Sequence, residues 1–354
     1  NRAADDAVAE LHITVTSLRS CMFIGLSNKA GQGRISAYET TGCTTSDFLA
    51  RHLTILPAMQ SNLTTPSDPL KTNSSGVFAA VAAFFILVIA SAAIAQKAED
   101  GLFFSQSIGA SLNPLGVILD SRLFGRLPLV KKPGILWEST NITGGVQNEW
   151  TPADNVASGR VSMEPVAFFE LVCKTGVYDM YNLLGYGCFR LGSPKDAYGP
   201  DAQRKLTPDN ARGYWISVAP TLKAKLWRLV ALNTVTVNQL GINGTGYFLE
   251  VHSYLPHRTN DLDVINEAYL LAECSPWLLA GATYRFAYVT GTALRSQQVC
   301  AIAIVKPTRP ALKSTFAAVT AGFYPQDPLF NHRFYVGCLI GADFRLADAF
   351  VPKE

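Results

Sequence analysis

The stretch NDLDVINE carries the residues best suited to chemistry: Asp261, Asp263 and Glu267. Alternating carboxylates in a loop project to the same side and offer the hard oxygens that calcium prefers. The stretch lacks the glycine and the full ligand set of a helix–loop–helix calcium loop, and an acidic turn bathed in water has the same spelling. A second set is basic. Arg122, Arg126, Lys131 and Lys132 punctuate short apolar segments between Leu115 and Trp137. They can meet phosphates without reading a base sequence, or guard strand edges against pairing. Asp47 and His52, with Ser46 or Cys43 nearby, have the residue types of a base and nucleophile. A spacing of five residues does not define a triad, which is a matter of geometry. His12, His52, His252, His257 and His332 are scattered, and His257 follows Pro256 in a turn, so none stands out as a base. No phosphate loop, dinucleotide fingerprint, zinc-protease helix or nucleophile elbow occurs; the glycines of AGQGR and LLGYGCF lack the strand-to-helix setting that cradles phosphate. The sequence predicts no enzyme, and no cofactor beyond the calcium that the carboxylates could take.

The elements that must position these residues belong to a chain poor in charge. Charged residues make up 16% of the 354, against roughly 25% in ordinary soluble domains. Mean hydropathy is positive. Such a chain needs part of its surface covered, by lipid or by other subunits. The net charge of +3 is too small to argue for nucleic acid alone. Seven cysteines (21, 43, 173, 188, 274, 300 and 338) form no CxxC pair, which predicts reduced thiols, several of them buried in apolar runs such as QQVCAIAIV and FYVGCLIG. Sequons at Asn62, Asn73, Asn141 and Asn243 favour a secretory route, against the cysteine pattern.

Val77 to Ala95, VFAAVAAFFILVIASAAIA, is the longest apolar run. As a helix it would span about 28 Å, close to a bilayer's hydrocarbon thickness. Three readings compete: a transmembrane helix, an internal signal peptide, and a segment buried inside protein. The flanking Lys71 and Lys97 give no orientation bias, and burial is favoured.

Beyond Gly213 the pattern is clearest. GYWISVAP, KLWRLVALNTVTVNQ, GYFLEVHSYLP, ATYRFAYVTG and QQVCAIAIVKP alternate in strand fashion between Gly and Pro turns. The absence of intervening amphipathic helices predicts a mainly β protein, an antiparallel jelly roll or β-sandwich with a few helices. The boundaries read as a β-rich, shell-like domain over 1–193 that contains 77–95, a Pro-rich hinge at 194–212, a strand-rich region at 213–305 that could be a second β domain, and an extended tail over 306–354.

This general character, with low charge, long polar loops, unpaired cysteines and the tail, resembles the coat proteins of small non-enveloped icosahedral viruses. The resemblance implies a capsid protein in the virion, a homo-oligomeric shell that packages nucleic acid without sequence preference and meets a host receptor of unknown identity. Arg122, Arg126, Lys131 and Lys132 would then face the genome, and Asp261, Asp263 and Glu267 could bridge subunits through calcium. Two alternatives stay open: a single-pass membrane glycoprotein with a β-sandwich ectodomain, in the cell membrane or outside it, and an extracellular β-sandwich hydrolase or lectin.

Overall fold

A computed structural model describes residues 100–130, 139–183, 185–307 and 315–347. Twelve long strands make up most of it: β1 (Gly101–Leu112), β2 (Gly116–Pro128), β3 (Asn141–Trp150), β4 (Asp154–Val166), β5 (Phe169–Met180), β7 (Ala211–Leu226), β8 (Leu229–Ile242), β11 (Asn260–Ser275), β12 (Leu278–Val289), β13 (Arg295–Val305), β14 (Thr315–Gln326) and β15 (Phe334–Ala347). Each pairs antiparallel with its neighbour along the chain, and β1 pairs with β15 to close the wall into a barrel. Three short strands, β6 (Arg190–Leu191), β9 (Tyr247–Leu249) and β10 (Pro256–Arg258), form a separate small sheet in the order β10-β9-β6. The helical content among the described residues is one four-residue turn, α1 (Pro200–Gln203).

Period-two alternation sends successive side chains to opposite faces of this wall. On β4, Asp154, Val156, Ser158, Ser162 and Glu164 are buried, while Val161 and Met163 between them are exposed. On β15, Tyr335 and Leu339 are buried while Phe334, Ile340 and Phe344 are exposed. The exposed face is therefore the apolar one. The same holds for Ile108 on β1, Val146 on β3, Ile216 and Leu222 on β7, Leu270 on β11 and Val319 on β14. A soluble antiparallel sheet shows the opposite arrangement, apolar in and polar out.

This architecture corrects the expected jelly roll or sandwich. Greek-key folds return a strand beside a distant one through a long connection, whereas here every long strand lies beside its sequence neighbours. Among the described residues the Pro-rich stretch does not divide two β domains, because β5 before it pairs with β7 after it, with Val177 opposite Tyr214. Residues 315–347, read as extended tail, form β14 and β15.

The two mouths differ. At one end, residues 167–168, 227–228 and 276–277 are two-residue turns; at the other, segments 181–210 and 243–259 are long. Tight curvature needs small residues inside the wall. A Cβ built on Gly176 would fall inside the van der Waals radius of the Ala157 carbonyl on β4, so only glycine permits that approach. The run 77–95 lies outside the described residues, as do Ser46, Asp47, His52, Cys43, Lys131 and Lys132.

Candidate functional site in the barrel lumen and its capped mouth

The inner wall across β2 to β7 carries the charges that the outer face lacks. Asp120 and Arg122 sit two residues apart on β2 and pair at 2.6 Å, both nearly inaccessible. Gln147 on β3 donates to Asp120 at 2.9 Å and to Glu149 at 2.7 Å, and Lys174 on β5 donates to Glu149 at 2.7 Å. Toward the short-turn mouth, Lys223 on β7 lies 3.2 Å from Glu164 and 2.9 Å from Glu170, and Lys225 lies 2.5 Å from Glu273. Each cation finds a carboxylate, Arg122 on its own strand and the lysines one or two strands away, as charges withdrawn from bulk water require. The wall is two-sided. Val230, Leu232, Tyr269, Leu271, Leu279, Ile302, Ile304, Ala318 and Leu339, inward on β8 and β11 to β15, form an apolar cluster.

Segments 181–210 and 243–259 bring a second group to the opposite mouth. Phe189, Leu191, Tyr198, Leu249 and Tyr254 from these segments pack with Tyr324 and Tyr335 of the wall. Phe248 and Cys188 join Tyr178, Trp215 and Leu240 in another cluster. After β9 the chain turns tightly, the Tyr254 amide donating to the Glu250 carbonyl at 3.0 Å. The Glu250 carboxylate accepts from the His252 amide at 2.7 Å, from the Ser253 amide, and from the Tyr178 hydroxyl at 3.4 Å. His252 Nε2 lies 2.7 Å from Asp154 Oδ2, with its ring edge-on to Trp215 at 5.0 Å. Burial alone would lower the His252 pKa. The charge and hydrogen bond of Asp154, with Glu250 and Glu149 behind, push it up to about 9, so the ring is an imidazolium at neutral pH.

His257 forms the neighbouring pair. Its Nδ1 lies 2.9 Å from the Leu255 carbonyl and its Nε2 3.2 Å from Asp263 Oδ2. Burial opposes its charge too, but the hydrogen bond and charge of Asp263 hold its pKa above the usual histidine range. Asp263 and Asn238 are cross-strand partners on β11 and β8, and the Asn238 amide donates to Asp263 Oδ1 at 2.7 Å. Among the described residues, Glu250, His257 and Asp263 are the group of three potential metal ligands whose donor atoms lie within 4.8 Å of one another. The arrangement can store positive charge, as protons or as a metal ion.

The residues singled out from sequence are not brought together as expected. Arg122 is committed to Asp120 inside the barrel, and Arg126 lies over the rings of Phe103 and Phe124 at 4.7 and 5.7 Å. Both point into a closed lumen rather than toward a packaged genome, which overturns nucleic acid as a partner. The three carboxylates of β11 all face inward, but each has its own partners. Asp261 accepts from the Gly291 amide at 2.8 Å and the Thr290 hydroxyl at 3.0 Å, and Glu267 lies 3.7 Å from Arg285. Sequence reasoning missed Glu250 and Asp154, and set His252 and His257 aside. Their signal was a carboxylate and two histidines within eight residues, in a segment dense with aromatic and apolar side chains.

A closed antiparallel barrel, apolar outside and charged inside, is the architecture with which β-structure crosses a bilayer: all backbone groups pair within the wall and no edge is left open. The chain is a membrane protein in class, not a virion component. The capsid shell of identical copies, the single-pass glycoprotein with a sandwich ectodomain and the β-sandwich hydrolase or lectin all fall with the fold they required. Among the described residues no helix is long and apolar enough to cross a membrane, which says nothing of crossing by strands.

No protein-family model matches the chain, and no curated protein matches it in sequence. Solved structures with some likeness include the translocator domain of the autotransporter NalP from Neisseria meningitidis, at 10% identity and a TM-score of 0.35 over 77% of this chain and 98% of that one. OmpT, an outer membrane protein of Vibrio cholerae in its trimer form, is 6% identical with a TM-score of 0.32 over 70% and 100%. An anion-selective porin from Comamonas acidovorans is 7% identical with a TM-score of 0.24 over 69% and 98%. Likenesses this distant carry no argument about function; the barrel rests on this chain's own strand pairing.

Proposed function

We propose that the chain is an integral protein of an outer-membrane type of bilayer, whose charge-lined lumen is a polar passage held shut at one mouth by segments 181–210 and 243–259. The observation that carries this reading is the inverted polarity of the wall. Leucine, valine, isoleucine and phenylalanine face outward around it, while ion pairs such as Asp120–Arg122 and Glu149–Lys174 face inward. Strands of 10 to 16 residues meet the roughly 9–11 that a tilted strand needs to cross. Aromatic side chains stand at both rims: Trp227 and Trp277 in the two-residue turns, and Tyr214, Phe323 and Phe334 at the other mouth. Such rings settle at the membrane–water interface. The reading assigns passage rather than catalysis to this lumen.

The test is reconstitution of the full chain into liposomes and planar bilayers. The barrel resists alkaline extraction, and replacing residues 192–207 by a short Gly-Ser linker raises single-channel conductance above that of the parent. Release by alkali would overturn membrane insertion. A shortened variant that inserts but conducts no better than the parent would overturn the passage.

A further inference from the structure

We infer that Glu250, His257 and Asp263 hold a divalent transition-metal ion, zinc in class, with the side-chain oxygen of Asn238 as a fourth donor, and that this ion fastens segment 243–259 into the barrel mouth. Four observations carry this. First, the three donor atoms lie within 4.8 Å of one another, and a contraction of about 1.4 Å gives the edge of a tetrahedron with roughly 2.1 Å metal–ligand bonds. Second, the Leu255 carbonyl can only accept, so His257 Nδ1 donates to it, which fixes the ring and turns Nε2 toward the cluster, 3.2 Å from Asp263 Oδ2. A fixed Nδ1–H···O=C bond is the second-shell arrangement that orients a metal-bound imidazole. Third, Glu250 and His257 are fully buried and Asp263 is 1% exposed. Two carboxylates withdrawn from water side by side need positive charge close to them, and a divalent ion in the cluster supplies it. Fourth, the Asn238 side-chain oxygen, on a fully buried residue, finds no hydrogen-bond donor, while its own amide nitrogen binds Asp263 and so sets the free oxygen beside the cluster.

The donor set selects the metal. One imidazole, two carboxylates and an amide oxygen suit an ion of intermediate softness, whereas calcium takes six to eight oxygens and magnesium keeps several waters. The Glu250 carboxylate is already oriented by the His252 and Ser253 amides. The ligands come from β8, β11 and the long segment between them, so binding joins the cap to the wall.

The experiment uses the full chain folded in detergent, stripped with a chelator, dialysed against zinc and assayed for metal content and thermal midpoint. About one zinc per chain is retained, and the midpoint rises. Asp263→Asn and His257→Gln each weaken zinc binding at least tenfold, and Glu267→Gln leaves it unchanged. A folded parent chain that retains no zinc overturns the inference, and that measurement decides even where a variant fails to fold. Equal loss in Glu267→Gln, or calcium held in preference to zinc, also overturns it by returning the site to the row of carboxylates on β11.

Discussion

Asp120 and Arg122 point the same way because they lie two positions apart on one strand, and that period brings them into their 2.6 Å contact. Arg122→Met leaves Asp120 buried without this cation and costs about 3–5 kcal/mol of folding stability, measured by urea unfolding in lipid vesicles. Removing both charges with Asp120→Leu added recovers much of the loss. A second prediction concerns Cys188, which is inaccessible and whose thiol burial pushes up to about 11. At pH 8 the low thiolate fraction makes its alkylation at least about a hundredfold slower than that of an ordinary thiol, and mass mapping of adducts before and after unfolding reads the difference. What the sequence disclosed at this scale was residue type. Asp263 was legible as an oxygen donor, but its partners His257, Glu250 and Asn238 come from a turn and another strand. Arg122 was legible as basic, yet the Asp-Ser-Arg alternation that pairs it inward was read as surface charge.

A strand in this wall has one face for lipid and one for the lumen, so the same substitution has opposite consequences at adjacent positions. Leu270 on β11 is outward and 59% exposed, opposite Ala282 near the middle of β12. Leu270→Lys places an ammonium against hydrocarbon and costs about 2–4 kcal/mol, seen as a lower urea midpoint for folding into vesicles. The same change measured in a detergent whose headgroups reach the strand costs less. Most strands after Gly213 were legible, because YWISV, LNTVTV, TYRFAYV and CAIAIV alternate strongly. β14 and β15 were not, because runs such as FAAVTAGFY and GCLIGADF are small-residue sequences with weak strand preference. Which face meets the lumen is invisible to periodicity, since a sandwich and a barrel share the period of two. Only the placement of Glu164, Lys174 and Lys223 at inward registers tells them apart.

For the molecule as a whole, the 16% charge correctly called for a covered surface, but composition does not name the cover. Lipid meets the requirement as well as neighbouring subunits do, and the apolar outer face of the closed wall is what supports the proposal of lipid. That closure has a consequence for the order of assembly. Leu102 meets Ala347 and Leu112 meets Val336 across the β1–β15 seam, so the first long strand waits for the last. Loop-closure entropy makes such a distant pairing slow, and local hairpins form long before it. Until the seam forms, the sheet has two bare edges whose amides and carbonyls hydrocarbon cannot satisfy. Entry into the bilayer and completion of the wall are therefore a single late event. Chains halted before Phe334 should bind vesicles yet wash off with alkali, whereas full-length chains become resistant only as the seam closes; resistance in the halted chains would show that an open wall can insert.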